Sequence, residues 1–134
     1  MEKRFLRIID ANYNRSREGL RVSEDILRFV INDAAHAVCL KNTRRSLARL
    51  VSVFDVKKLL DARNVKTDDC KFKYSNEKSK ISSQDLLRRN FQRATESLRV
   101  LEEVSQVLDP MLKPKFMKLR FKIYAIEKDV FRRL

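Results

Sequence analysis

Two stretches of the chain repeat one pattern of polar residues, and the side chains in it are of kinds that bind phosphates, metals and protons. The stretches are NYNRSREGLRVSED at 12–25 and NFQRATESLRVLEE at 90–103, and seven of their fourteen aligned positions are identical. Five of these seven identities are polar or charged, although packing of a helix face fixes mainly the apolar positions. The repetition therefore indicates that the polar residues have a role of their own, in the fold or in a site.

Each copy places its polar residues three or four positions apart, so that neighbours on a helix touch and form what we call a ladder. The two ladders contain Asn12, Arg15, Glu18, Arg21, Glu24 and Asp25, and Asn90, Arg93, Glu96, Arg99, Glu102 and Glu103. In a structural interpretation, the ladders are ion-pair networks in which a buried asparagine fixes the helix register. In a functional interpretation, both ladders face a shared cleft, where arginines bind phosphate oxygens and carboxylates hold a metal or accept a proton.

The functional interpretation gives two sets of candidate site residues. The catalytic candidates are the carboxylates Glu18, Asp25, Glu96 and Glu103. A second, weaker repeat, LKNTRRSLARL at 40–50 and FMKLRFKIYAI at 116–126, adds two arginines to the binding candidates. The candidates for binding substrate or phosphate are Asn12, Arg15, Arg21, Asn90, Arg93, Arg99, Arg44 and Arg120. The sequence does not identify a metal ion.

Several other kinds of chemistry are excluded by the composition. The chain contains a single glycine, which cannot build either of the glycine-rich loops that bind nucleotide phosphates. No Glu-x-x-His pair occurs, which argues against a di-iron carboxylate bundle. Cys39 and Cys70 stand alone in the sequence, and this favours reduced thiols in a cytosolic protein over the alternative, a disulfide between them.

The net charge of +13 indicates an anionic partner, which is a nucleic acid, a membrane surface or a small phosphorylated molecule. Basic residues are spread over all predicted helices and no nucleic-acid-binding motif occurs, which argues against a nucleic acid. No apolar run is long enough to cross a bilayer, and the N-terminus lacks the apolar core of a signal peptide. We therefore expect a cytoplasmic protein with no membrane partner, and the oligomeric state stays open, with a homodimer as one alternative.

Apolar periodicity predicts four helices in one domain, residues 1–134, covering about 3–30, 33–60, 83–108 and 114–133. The polar stretch at 61–83 has no such periodicity and is predicted to be a long, partly mobile connection. The sequence thus predicts an all-α fold in which two duplicated αα-hairpins, at 1–60 and 84–134, form a four-helix bundle with pseudo-twofold symmetry.

Small residues on the buried faces predict where the first and third helices cross, because small side chains permit close approach. These residues are Ser16, Gly19, Ala94 and Ser97. The same helical wheel places Asn12 and Asn90 at the centres of the buried faces, where each amide needs a hydrogen-bond partner.

The segments RIIDANYNRSREGLRVSEDILRFVIND at 7–33 and RNFQRATESLRVLEEVSQVLD at 89–109 resemble a bacterial family. It is the small helical domain that is often fused to the N-terminal side of thiamine-phosphate synthase and that sometimes stands alone. The resemblance covers nearly the whole chain. It implies hydroxymethylpyrimidine-phosphate kinase activity with ATP and Mg²⁺, a phosphorylated pyrimidine as substrate, and thiamine-phosphate synthase as a partner that consumes the diphosphate.

The chain departs from the pattern of that family in its connection. There the family usually carries an Arg-Asp pair and a glycine-containing Asp-Val-Gly stretch, whereas DARNVKTDDCKFKY at 61–74 has no glycine. Two alternatives to an active kinase therefore stay open. One is a bundle that has lost its activity, and the other is a basic helical module that binds RNA or docks on thiamine-phosphate synthase.

Overall fold

The computed structural model describes residues 2–72 and 78–134, and within these ranges its regular structure is entirely helical. A π-helix, Ile26–Ile31, extends the first helix, and a short 3₁₀ turn, Pro110–Leu112, precedes the last one. The α-helices are α1 (Glu2–Asp25), α2 (Ala34–Val51), α3 (Val56–Ala62), α4 (Ser83–Leu108) and α5 (Lys113–Arg132). The predicted all-α class is confirmed.

Four long helices form the bundle. Helices α1 and α2 make hairpin one, α4 and α5 make hairpin two, and the hairpins meet through contacts of α1 with α4 and of α2 with α5. The short helix α3 packs on α1 at the side of the bundle. An apolar core fills the centre, and its largest fully buried side chains include Phe91, Phe116, Leu20, Leu40 and Leu101.

The crossing of α1 and α4 lies where the small residues predicted it. A β-carbon added to Gly19 would lie 2.9 Å from the carbonyl oxygen of Asn90 and 3.2 Å from the amide nitrogen of Ala94. The hydroxyls of Ser16 and Ser97 are 2.6 Å apart. Ser97 is the repeat equivalent of Gly19, and Ala94 is that of Ser16, so the two contacts are related by the pseudo-twofold axis. The predicted crossing is confirmed.

The helix boundaries follow their capping residues. Asn32 adopts a left-handed conformation (φ 62°) after the π-helix, and the carboxylate of Asp33 caps α2. The hydroxyl of Ser82 accepts a hydrogen bond from the amide of Asp85 and caps α4, which begins at Ser83 as predicted.

The prediction of one helix extending to Leu60 is wrong. Helix α2 ends at Val51, and the carboxylate of Asp55 then caps the separate helix α3 by accepting a hydrogen bond from the amide of Lys57. The break turns α3 toward α1, and this buries Leu59 and Ala62. Periodicity alone missed the break because apolar residues continue on both sides of it.

The predicted connection at 61–83 begins inside α3 and ends with the first residue of α4. Between these helices, the described residues 63–72 and 78–82 contain no helix, and 73–77 lie outside the described residues. Across the described ranges, every helix is too short or too polar to span a lipid bilayer. Cys39 and Cys70 are exposed free thiols.

Candidate functional site

The two ladder asparagines are buried in the α1–α4 interface, as the helical wheel predicted. The side-chain amide of Asn12 donates to the carbonyl oxygen of Ile8, and that of Asn90 donates to the carbonyl oxygen of Leu86, each at 2.9 Å. Both bonds run to the residue four positions earlier in the same helix. Each amide is thus satisfied locally, in equivalent positions of the two copies.

The exposed ladder residues form one link between α1 and α4. Glu18 and Arg93 approach to 4.0 Å across the two helices, and both side chains are more than half exposed. Arg15, the equivalent of Arg93, donates instead to the side-chain oxygen of Asn12 at 3.4 Å. Glu96, the equivalent of Glu18, has no hydrogen-bond or ion-pair partner among the described residues.

The outer members of the ladders pair within their own helices, and Glu103 also lies 3.5 Å from Lys113 of α5. Arg21 lies 4.0 Å from Asp25, and Arg99 lies 3.4 Å from Glu103. All four side chains are about half exposed. The described residues thus bring the ladders together at Glu18 and Arg93, and they do not gather the remaining candidates into one cleft.

Arg44 and Arg120 bind carboxylates at equivalent positions of the two hairpins. The Nε and Nη2 atoms of Arg44 donate to the same oxygen of Glu24, at 3.3 and 3.2 Å. Arg120 binds both oxygens of Glu102, and the second of these bonds, from Nη2 to Oε1, is 2.9 Å long. The hydrogen bond to Glu102 raises the pKa of Arg120 above its usual range. These pairs link α1 to α2 and α4 to α5.

A second group of polar residues lies on α1 beside α3, and the sequence did not predict it. Buried Asp10 accepts two hydrogen bonds from Arg63, each 2.8 Å long. Asn14 donates to Asp10 at 3.4 Å, and Arg17 donates to Asn14 at 2.8 Å. The bonds from Arg63 to Asp10 also raise the pKa of Arg63. We call Asp10, Asn14, Arg17 and Arg63 the hairpin-one network.

A departure from the repeat could have revealed the hairpin-one network. At the offset of 78 that relates the ladders, Asp10 corresponds to Arg88 and Arg17 corresponds to Thr95. These polar residues therefore belong to hairpin one alone, whereas the ladders belong to both hairpins. Arg63 could not have been paired with Asp10 from the sequence, because the break that places α3 against α1 was not predicted.

Two cavities adjoin the hairpin-one network, and Arg63 lines both of them. The apolar cavity, of about 340 Å³, is lined by apolar and aromatic side chains together with the network residues. Its apolar lining comes mainly from Tyr13, Ala48, Val51, Val56, Leu59 and Leu60. The cationic cavity, of about 320 Å³, is lined by Lys3, Arg4, Arg7, Asp61, Ala62, Arg63 and Asn64. Hairpin one thus combines an apolar and a positively charged recess.

The described residues do not offer a ready metal site. Within 2–72 and 78–134, histidine, cysteine and carboxylate side chains nowhere gather in a group of three or more. Mg²⁺ in phosphoryl-transfer sites is often held by one or two carboxylates together with substrate phosphates.

Comparison with known proteins shows the family of this chain. The model of the ThiD2 family matches residues 7–129, a range that includes both ladders and the hairpin-one network. The chain belongs to the ThiD2 family. No solved structure matches it.

The curated relatives are longer proteins. The chain is 34% identical over 125 residues to a thiamine-phosphate synthase of Nostoc punctiforme, a match that covers 92% of this chain and 34% of the relative. It is 38% identical over 128 residues to a thiamine-phosphate synthase of Synechococcus sp. (strain CC9605), covering 95% and 35%. The chain therefore spans about a third of the length of these relatives.

Proposed function

We propose that this chain acts in thiamine biosynthesis as a phosphotransferase that converts hydroxymethylpyrimidine phosphate to the diphosphate with ATP. Membership of the ThiD2 family and similarity to a third of two proteins named thiamine-phosphate synthase support the pathway. The resemblance of the ladder segments supports the reaction. The observation that carries the proposal is the hairpin-one network, which lies beside a positively charged and an apolar cavity.

The proposed reaction needs mainly charge neutralisation and positioning. An oxygen of the pyrimidine monophosphate forms a bond to the γ-phosphorus of ATP, the bond from that phosphorus to the β,γ-bridging oxygen breaks, and ADP leaves with the electron pair. Both reactants are anions, so cationic side chains reduce their repulsion and hold them in line. A phosphate nucleophile is already ionised at neutral pH, and the protein therefore needs no general base to activate it.

Arg63 is the residue whose geometry fits this task best. Asp10 fixes its guanidinium with two hydrogen bonds, so little side-chain entropy is lost when a phosphate approaches. The side chain of Arg63 is 43% exposed and lines both cavities. In this proposal Arg63 binds substrate phosphate and Asp10 is its positioning residue.

The proposal is tested by incubating the purified chain with ATP, Mg²⁺ and hydroxymethylpyrimidine phosphate and following the diphosphate by ³¹P NMR. Arg63→Gln is expected to lower the rate at least tenfold. Lys118→Gln, which removes one exposed positive charge from α5, is the matched control and is expected to keep the wild-type rate. Circular dichroism confirms that each variant is folded. A folded wild-type chain that forms no diphosphate would contradict the proposal.

A second candidate function is a non-catalytic module that docks on thiamine-phosphate synthase. The observation that favours it is that the chain spans only about a third of relatives that carry this name. Sedimentation of the chain with a purified thiamine-phosphate synthase tests it, and two separate boundaries at micromolar concentration would argue against docking. If the basic helical module binds RNA instead, a gel-shift assay is expected to show binding that weakens as salt is added. Absence of a shift at low salt would contradict RNA binding.

A further inference from the structure

We infer that the two cavities of hairpin one form one bipartite site for a small phosphorylated ring, with the ring in the apolar cavity and the phosphate in the cationic cavity. The inference rests on the proposed function for the identity of the ligand, hydroxymethylpyrimidine phosphate. It places the site on the α3 side of α1, away from the contact between Glu18 and Arg93 that links the ladders.

The cationic cavity has the charge that a phosphate group needs. Lys3 and Arg4 have no hydrogen-bond or ion-pair partner among the described residues. Arg7 donates one bond, 2.9 Å long, to the carbonyl oxygen of Asn64, and this holds its guanidinium at the cavity. These three cations face a single carboxylate in the lining, Asp61. Unpaired cations in a recess attract a dianion and can form charge-assisted hydrogen bonds with it.

The apolar cavity has the lining that a flat ring needs. Val51 and Leu59 are almost completely buried at its base, and Leu60 is half exposed at its edge. The guanidinium of Arg17 lies 5.1 Å from the ring centroid of Tyr13, which orients this aromatic side chain at the cavity. Asn14 adds an amide that can bond to ring nitrogens or exocyclic groups. Small-molecule sites commonly combine such an apolar lining with a few polar groups.

Arg63 joins the two halves of the site. It lines both cavities, and its Nε and Nη2 atoms are held by Asp10. A ligand that fills both recesses would therefore pass beside this guanidinium. The combined volume is within the usual size of small-molecule sites, about 300–1,000 Å³.

Titration of the full-length chain by ¹H–¹⁵N NMR tests the two halves separately, without ATP. The probes are hydroxymethylpyrimidine phosphate and inorganic phosphate. Arg4→Gln is expected to weaken both probes about five- to tenfold, because it removes an unpaired cation from the phosphate half. Leu60→Gln is expected to weaken only the pyrimidine phosphate, about threefold. Lys118→Gln, the charge-matched control on α5, is expected to change either affinity less than twofold.

The outcomes separate this site from the proposed function. Equal weakening by Arg4→Gln and Lys118→Gln would mean that the phosphate responds to the overall charge, and it would overturn the site. Absence of binding by the wild-type chain would overturn it as well. Wild-type diphosphate formation at subsaturating substrate by Arg4→Gln and Leu60→Gln would overturn the site and keep the phosphotransferase. If the binding pattern is as expected but no diphosphate forms, the result would support the binding site and contradict the phosphotransferase activity.

Discussion

Both hairpins carry the same carboxylate–arginine pair. The pair is buried in hairpin two and partly exposed to solvent in hairpin one. In hairpin two the side chain of Glu102 is fully buried, and Arg120 binds both of its oxygens. In hairpin one, Arg44 binds only one oxygen of Glu24, and 22% of the Arg44 side chain is exposed. The duplication therefore produced the same ion pair in both hairpins, and the pair in hairpin two is the more deeply buried.

The chain between the paired residues explains part of this difference. The carboxylate and the arginine are 20 residues apart in hairpin one and 18 apart in hairpin two. The π-helix Ile26–Ile31 lies within the longer stretch, and a π-helix takes up more residues per turn than an α-helix. A cavity of about 230 Å³, lined in part by Glu24, Arg28 and Lys41, adjoins this segment. The two additional residues of hairpin one thus lie in a segment that packs less tightly.

Hairpin one also carries features outside the repeat. Helix α3, Arg63 and the two cavities beside Asp10 all lie against α1. Hairpin two presents its most buried polar pair to the core instead. In our proposal, the ladders that both hairpins share belong to the common scaffold, and the residues that hairpin one does not share belong to the site.

The largest expected effect separates the two carboxylate–arginine pairs. Glu102→Ala leaves the guanidinium of Arg120 buried without its partner, and we expect a loss of about 3–5 kcal/mol in the free energy of unfolding. Glu24→Ala is the matched change in hairpin one, and we expect a loss of about 1–2 kcal/mol because Arg44 can reach water. Urea unfolding of both variants measures the difference. Equal losses would show that the two pairs contribute alike.

The sequence predicted the scaffold better than the candidate site, for a physical reason. The repeat, the apolar periodicity and the small residues on the buried faces are patterns visible in the sequence. They predicted the four long helices, apart from the end of α2, and the α1–α4 crossing. The contact of Asp10 with Arg63 joins residues 53 positions apart across an unpredicted turn. Ion-pair partners at such separation leave no local pattern, so the hairpin-one network became visible only in the fold.

The next largest effect concerns the crossing of α1 and α4. In an exposed helix, Gly→Ala stabilises by about 1 kcal/mol. At Gly19 the new β-carbon would lie 2.9 Å from the backbone of Asn90, so the helices must separate, and we expect a net loss of about 1–2 kcal/mol. Ser97→Ala is the change at the repeat-equivalent position. It removes the hydroxyl contact with Ser16 and the hydrogen bonds of that hydroxyl to the carbonyl oxygens of Arg93 and Ala94, but it adds no atom to the crossing. Thermal unfolding compares the two, and stabilisation by Gly19→Ala would contradict the close crossing.

A smaller expected effect is a difference between the turns of the two hairpins. It concerns how the contribution of each turn to the free energy of unfolding depends on pH. Burial raises the pKa of Asp33, but hydrogen bonds from the ring and the backbone of His36 outweigh it and hold the pKa below its ordinary value of 3.8. This lowered pKa stabilises the fold above about pH 4, and the contribution is lost as the pH falls through the pKa of the folded state.

Asp33→Asn keeps a capping side chain and removes the titrating group. We expect the loss of stability between pH 5 and pH 2 to be smaller in this variant than in the wild-type chain, measured by urea unfolding at each pH. Asp109→Asn is the control at the equivalent turn of hairpin two, where the carboxylate caps the 3₁₀ turn without a histidine. An unchanged pH dependence in Asp33→Asn would contradict the role of His36.

The smallest expected effect on stability is that of the variants at Glu18 and Glu96, and their turnover tests whether the ladders form a site. Glu18 and Glu96 are equivalent exposed carboxylates, and among the residues that the structure describes Glu18 has a partner, the half-exposed Arg93, whereas Glu96 has none. Surface pairs of this kind contribute about 0–1 kcal/mol, so Glu18→Gln and Glu96→Gln should each change the free energy of unfolding by less than about 0.5 kcal/mol. If the site lies in hairpin one, both variants also keep the rate of diphosphate formation, because their side chains do not line its cavities. Loss of turnover in Glu96→Gln at unchanged stability would instead assign catalysis to the ladders, since a carboxylate that no protein cation neutralises is free to act on a substrate.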